Sequence, residues 1–314
     1  MANGSSHLVG KASYCCDTSL GTITVGAFCG IFRSTNDLAR WIFQTPTYKR
    51  YIYKAIQGGN GAIANLKSDD ILNQSYFLPS LPEQRKIAAL LSLIDERIEV
   101  QNAIIKEQEA LKAALLRRLF DRTLRFPEFT DEWKEYQNSE VFEIISEKNT
   151  DLRDSNVVSA SMNYGVVLRD EIGIDIKYEQ GSIRGYKVVR DGDYIVHLRS
   201  FQGGFAFSRL NGICSPAYTI LRPRSNMLEY GFLESYFCSS RFITSLKRVT
   251  YGIRDGRSIS VEEWMSEKTS LPTLAEQKKI AALLSAVDER IAVETEYAAL
   301  LQKQKAYLLR QMFV

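Results

Sequence analysis

Histidine is scarce in this chain of 314 residues, which has only His7 and His197. A histidine-based triad or a zinc site is therefore poorly supplied. The five cysteines (Cys15, Cys16, Cys29, Cys214 and Cys238) form no Cys-x-x-Cys pair, and the vicinal Cys15 and Cys16 are poorly placed to bridge each other. They read as reduced thiols, which makes a cytoplasmic protein the expectation. There is no glycine-rich phosphate loop ending in Lys-Ser or Lys-Thr and no Gly-x-Gly-x-x-Gly. Asn-Pro-Pro and Asp-Pro-Pro runs, used by amino-methyltransferases, are missing too. No apolar run reaches the roughly 18 residues of a membrane span. The stretch from Met1 to Gly10 lacks the charged and apolar regions of a secretory signal. Neither sign of charge dominates: the net charge is +3, so any basic surface must be local. Glu132-Trp133-Lys134 matches the Glu-x-Lys element of some nucleases, but no partner aspartate accompanies it. It reads as structural, with Trp133 packing where a lobe begins. His197, inside a predicted strand, also reads as structural. No catalytic residue and no metal ligand is expected, so the chain is not expected to be an enzyme.

What the chain does have is a repeat of itself. Residues 81–120 and 274–313 align without a gap at an offset of 193, with 21 of 40 positions identical. Upstream the offset carries more weakly: Leu78-Pro79 falls on Leu271-Pro272, Asp69-Asp70 on Glu262-Glu263, and Gly59 on Gly252. Each unit is a divergent segment followed by a well-matched one.

The matched segments are predicted long helices. From Glu83 to about Leu119 there is no proline or glycine, and good helix formers dominate. Apolar residues recur near helical period at Ile87, Leu90, Leu91, Ile94, Ile98, Ile105, Leu111 and Leu115, and Pro82 suits a first helical turn. At about 1.5 Å per residue each helix is on the order of 55 Å long. A narrow apolar stripe of that length needs a partner, and the other copy is the natural one. Antiparallel packing about a pseudo-twofold axis is expected, with Ile87, Leu91, Ile94 and Ile98 of the first copy and Ile280, Leu284, Val287 and Ile291 of the second in the contact.

Residues 140–270 read differently. Short β-type runs (Asn156 to Ser161, Gly185 to Arg190, Tyr194 to Leu198, Tyr218 to Leu221) are separated by glycine and aspartate. An aromatic-rich helical stretch follows from about Leu228 to Arg248, giving an α+β lobe. Two stretches suit DNA. One carries Arg184, Lys187, Arg199, Ser200, Gln202 and Arg209 around Gly203-Gly204. The other carries Tyr251, Arg254, Arg257 and Ser258 among glycines. Lysine and arginine neutralise phosphates, arginine and glutamine read base edges bidentately, and glycine lets the backbone approach closely.

Pro79-Ser-Leu-Pro-Glu-Gln-Arg-Lys-Ile87 with Leu93-Ile-Asp-Glu-Arg-Ile98, repeated as Leu274-Ala-Glu-Gln-Lys-Lys-Ile280 and Val287-Asp-Glu-Arg-Ile291, resembles the spacer helices of type I restriction–modification specificity subunits. Arg125-Phe-Pro-Glu-Phe129, leading to Glu132-Trp133, resembles the lead-in to that family's recognition domains. Arg199-Ser-Phe-Gln-Gly-Gly204 and Ser215-Pro-Ala-Tyr-Thr219 resemble one class of them. The resemblance implies an α+β fold with two target-recognition lobes joined by two long antiparallel spacer helices in a coiled coil. The boundaries would be a partial first lobe over 1–80, a spacer helix over 81–122, a second lobe over 123–273 and a second spacer helix over 274–314. It implies that each lobe reads one half of a split duplex DNA target, with the helices setting the gap. It implies docking to modification (methyltransferase) and restriction/translocase subunits, which carry the S-adenosylmethionine, ATP and Mg chemistry; this chain holds no cofactor and meets no membrane. The first unit departs from the pattern. Only 80 residues precede Leu81, against 148 between Phe126 and Leu274, so counterparts of roughly residues 126–193 are missing. A truncated or rearranged gene and a domain completed by another chain both fit that gap. A degenerate relative that docks the methyltransferase without reading a complete site is the alternative function.

Overall fold

A computed structural model describes residues 3–4, 8–15, 21, 24–56, 64–161, 165–172, 180–197, 204–224, 227–251 and 258–313. Its helices and strands, in chain order, are β1 (Asn3–Gly4), α1 (Ala39–Ile42), α2 (Pro46–Ile56), β2 (Ala64–Asn65), α3 (Ser68–Leu72), α4 (Leu81–Phe120), β3 (Lys134–Gln137), α5 (Asn138–Val141), β4 (Phe142–Ile145), β5 (Val158–Ser161), β6 (Gly165–Leu168), β7 (Lys187–Val189), β8 (Tyr194–Val196), β9 (Phe205–Phe207), β10 (Gly212–Cys214), β11 (Thr219–Pro223), α6 (Tyr230–Phe237), α7 (Ser240–Leu246), β12 (Thr250–Tyr251), β13 (Ser258–Ile259), α8 (Val261–Ser266), β14 (Lys268–Leu271) and α9 (Leu274–Met312). Two compact units result. Unit 1 comprises residues 1–107 and 292–314, and unit 2 comprises residues 108–291.

The two 193-offset segments are the two long helices, α4 and α9. Within each unit they run side by side and antiparallel, as paired contacts show. In unit 1, Lys305 meets Asp95 at 2.6 Å, and Leu91 shares a buried cluster with Leu309. In unit 2, Lys112 meets Asp288 at 2.5 Å, and Leu115 and Leu116 pack against the core that holds Ile280 and Leu284. The two ion pairs are the same pair at the same offset, since Asp95 is the counterpart of Asp288 and Lys112 of Lys305. Leu91, Ile94, Ile280 and Leu284 are buried, and Ile87, Ile98, Val287 and Ile291 are half-buried. Leu90 and Leu111, also on the apolar stripe, are instead 40% and 46% exposed.

Each helix starts the same way. Gln84 donates to the carbonyl of Pro79 at 2.7 Å and accepts from Asn36 Nδ2 at 3.0 Å. Its counterpart Gln277 donates to the carbonyl of Pro272 at 3.0 Å and accepts from the backbone N–H of Glu229 at 2.9 Å. Each unit also clamps one buried helix carboxylate between an arginine and a tryptophan. In unit 1 Arg40 and Trp41 Nε1 both reach Asp95 at 3.0 Å. In unit 2 Arg125 makes a two-pronged contact to Glu276 (3.0 and 2.8 Å), with Trp133 Nε1 at 3.4 Å. Charge-assisted, two-pronged contacts of this kind hold orientation as well as distance.

Unit 2 is built on a four-stranded antiparallel sheet, ordered β4-β11-β8-β9, with the pairs β10-β7, β5-β6, β12-β13 and β14-β3 around it. Tyr194, Ile195 and Val196 of β8 are all fully buried, which is why the run carries no polar alternation. One side of the sheet packs on an aromatic core: Phe237 lies 4.7 Å from Phe242 and 4.9 Å from Phe205, ring centre to ring centre. The single helical stretch expected over 228–248 is broken into α6 and α7. Ser239 accepts from the N–H of Phe242 at 3.2 Å and so caps a new helix there. The salt bridge from Arg222 to Asp193 (2.7 Å) ties β11 to the turn before β8, with Asp193 1% exposed.

Candidate nucleic-acid interface

Part of each DNA-suited stretch of the sequence lies between two paired strands. Residues 198–203 link β8 to β9, and the root of that link is tied by a bond from His197 N to Gly204 O (2.7 Å). Residues 252–257 link β12 to β13, with Tyr251 paired to Ser258. Arg199, Ser200, Gln202, Arg254 and Arg257 themselves lie outside the described residues.

The described candidates differ in availability. Arg184 sits in a short 3-10 turn (Gln180–Gly185) and is exposed. Ser258 is exposed at the start of β13. Lys187 on β7 is half-buried, and its ammonium donates to the carbonyl of Tyr218 at 2.6 Å. Arg209 reaches outward but is engaged by Glu234 (3.1 Å), with its guanidinium 5.3 Å from the centre of the Phe207 ring. Tyr251 is 55% exposed and donates its hydroxyl to Glu263 at 2.5 Å, a bond that raises the phenol's pKa. So Arg184 and Ser258 are open, while Lys187, Arg209 and Tyr251 already have protein partners.

Sequence reasoning missed a polar cluster beside the 198–203 connection. Tyr218 OH lies 3.2 Å from Ser159 Oγ, and the His197 ring is 5.3 Å from the Tyr218 ring. His197 Nδ1 is buried with no hydrogen-bond partner among the described residues. The sequence signal was Tyr218 within Ser215-Pro-Ala-Tyr-Thr219, but nothing local ties it to Ser159. Trp133, read as structural, is 7% exposed and packs on Phe232 at 5.9 Å.

Unit 2 is thus an α+β lobe that includes one end of each of the two repeated antiparallel helices. The comparisons give the family. The type I restriction modification DNA specificity domain matches residues 130–303, more than half of the chain. The chain belongs to that family: it is a DNA specificity protein of type I restriction–modification, not one of the catalytic subunits. It is 23% identical over 293 residues to the type I restriction enzyme MjaVIII specificity subunit of Methanocaldococcus jannaschii, covering 86% of this chain and 68% of that protein. Among solved structures it resembles the HsdS subunit from Thermoanaerobacter tengcongensis (TM-score 0.50, 19% identity, 88% of this chain and 69% of that one). It also resembles a chain from a structure describing complex assembly and conformational transition of the type I R-M system (TM-score 0.55, 18% identity, 88% and 71%). Among the described residues no helix is long and apolar enough to cross a membrane.

Proposed function

We propose that the chain gives a methyltransferase its DNA address by reading duplex DNA through unit 2 while docking the modification subunit along the helix pair. The observation that carries this reading is the reciprocal pairing of α4 with α9. Two helices of one repeat pair within each unit, through Asp95–Lys305 in unit 1 and Lys112–Asp288 in unit 2, as paired spacer helices would. Docking is supported by a groove of about 710 Å³ on the unit 1 part of the pair, lined by Leu90, Leu93, Val100, Tyr297 and Leu308 among others. Leu93 and Val100 there are 59% and 60% exposed, apolar surface that a docked subunit would cover. DNA reading is supported by the run of arginine, lysine and glutamine at 184–209 and of tyrosine, arginine and serine at 251–258, in which Arg184 and Ser258 are exposed. The restriction subunit joins the same assembly, and S-adenosylmethionine, ATP and Mg belong to the partners. Reading of a split target needs a contribution from unit 1 as well.

The test is co-expression with a modification subunit in a methylation-free host, followed by long-read mapping of modified adenines. A split motif with two defined halves is the expected result for two working lobes. A single half, or a palindrome of one half, assigns specificity to unit 2 alone. Co-purification without methylation supports the second reading, a docking protein that reads no complete site.

A further inference from the structure

Among the described residues five charged side chains belong to buried residues: Asp95, Arg169, Asp193, Glu276 and Glu294. Four of them have partners. Arg40 and Lys305 hold Asp95, Arg222 holds Asp193, Arg125 holds Glu276, and Gln101 holds Glu294. Arg169, the buried cation, is 8% exposed, and its guanidinium makes no ion pair, hydrogen bond or ring contact among the described residues. Its neighbour Asp170 is exposed and forms no ion pair with it. A cation taken out of water without a partner is unfavourable, and buried charges are paired almost without exception. An anion from outside the chain would answer it.

The surroundings of Arg169 favour an anion. Arg169 opens a short 3-10 turn (Arg169–Ile172) directly after β6, and its N–H bonds to the carbonyl of Val157 at 2.9 Å. Val157 bridges to Ile213, the residue before Cys214, and Cys214 is paired across β10 and β7 with Lys187. A second cation therefore stands in the same part of unit 2. Burial raises the pKa of the Cys214 thiol, while Lys187 and Arg169 both pull it down, so each is within electrostatic reach of that sulfur. The acid felt at the same sulfur, Asp193, is already held by Arg222 at 2.7 and 2.8 Å and by the N–H of Arg190 at 2.8 Å. Lys187 commits one donor to the carbonyl of Tyr218, and an ammonium has three. Tyr218 in turn meets Ser159, on the strand paired with β6, and lies against His197 at the root of residues 198–203.

We propose that Arg169 anchors a phosphate site in unit 2 that takes one phosphate of the DNA backbone, with Lys187 supplying a second positive charge. The inference rests on the reading that unit 2 binds duplex DNA. A planar guanidinium offers two parallel N–H donors to a phosphate, and full charge meets full charge, which a neutral base edge does not provide. Such a contact fixes the register of the lobe on the duplex and carries no sequence information of its own.

Arg169→Met keeps an unbranched apolar stem and removes the charge, and two measurements on the full chain use it. In the first, binding of a mixed-sequence duplex is followed over a salt series. The variant should bind about tenfold more weakly, and its slope of log affinity against log salt should be shallower by about 0.9. Arg169→Lys should keep most of the slope. In the second, melting is followed in inorganic phosphate and in chloride of equal ionic strength. Phosphate should stabilise the wild-type chain more than Arg169→Met. In chloride the variant should melt at or above the wild-type temperature, because it no longer buries an unpaired charge. An unchanged salt slope in Arg169→Met overturns the backbone contact. A lower melting temperature for that variant in chloride also overturns it, because the guanidinium then serves the fold. If the wild-type chain binds no duplex, the DNA reading of unit 2 fails by itself, and the phosphate melts decide the site. Equal shifts in both proteins then remove it, and a larger shift in the wild type keeps it as a site for free phosphate.

Discussion

Gln101 and Glu294 occupy the same position in the two copies of the repeat, and they bond to each other: Gln101 Nε2 donates to the Glu294 carboxylate at 2.6 Å and to its carbonyl at 3.0 Å. Equivalent residues meet in this way where like helices run antiparallel and in register. Both are nearly buried, at 5% and 8% exposure. Gln101→Leu should therefore destabilise the protein by about 1–3 kcal/mol, the cost of leaving the carboxylate without this donor. The double variant Gln101→Leu/Glu294→Leu should recover much of that loss. Urea unfolding of the four-member cycle measures the coupling; simple additivity would count against the pair as a register-setting contact.

The two repeat-related ion pairs should behave unequally. Asp95 is 11% exposed in its side chain and takes contacts from Arg40 and Lys305, whereas Asp288 is 52% exposed. Asp95→Asn strands two half-buried cations and should cost roughly 2–4 kcal/mol. Asp288→Asn should stay within about 0.5 kcal/mol and lose even that at high salt. Thermal melts at low and high salt separate the two cases.

The long helices and their partnership were legible in the sequence because helical period and self-similarity are local signals. The lobe was legible only in part. The runs around β5, β7, β8 and β11 stood out as β-rich, but β3 and β4 did not. Lys134–Gln137 is a strand only because Lys268–Leu271, far along the chain, lies beside it. The helix break at Ser239 is local, yet a single serine inside an aromatic-rich run looks like any other polar helix residue. Among the candidate DNA contacts, the sequence could not tell an open cation such as Arg184 from one already engaged, such as Lys187 under Tyr218. That distinction belongs to tertiary packing.

Cys214 gives a pH-dependent prediction. Burial pushes its thiol from the usual 9.0 up to about 12, against the smaller opposing pull of Lys187 and Arg169. The thiol is therefore protonated in the folded protein and should resist iodoacetamide at pH 8, while the exposed Cys15 and Cys29 react. The raised folded value adds stability that is fully present below pH 9 and is lost as pH climbs toward 12. Cys214→Ala should flatten that part of the stability profile. Mass spectrometry of alkylated peptides and urea midpoints at pH 8 to 11 check both statements.

DNA affinity should respond to Arg199 and Arg257 more than to the engaged cations. Arg199→Ala or Arg257→Ala should lower affinity for specific duplex DNA by about 1–3 kcal/mol without disturbing association with the modification subunit. Arg209→Ala should have a smaller effect, because that guanidinium already faces Glu234. Equilibrium binding over a salt series distinguishes base reading from phosphate contact. Unchanged affinity in both the Arg199 and Arg257 variants would remove the case for these two residues.

The glutamine that starts each long helix bears on how the protein can change over evolutionary time. Gln84 takes its incoming bond from a side-chain amide, Asn36, whereas Gln277 takes it from a main-chain N–H, at Glu229. The helix side of the joint is fixed, since in both copies the glutamine holds a proline carbonyl five residues earlier. The lobe side differs: Asn36 offers one donor to Gln84, while unit 2 offers the Glu229 N–H and the Met227 carbonyl, which accepts from Gln277 at 2.9 Å. Such a coupling asks the lobe for a donor and little else in common, so lobes can drift while the helices stay alike. The helices should evolve as a shared chassis and the lobes as interchangeable tools.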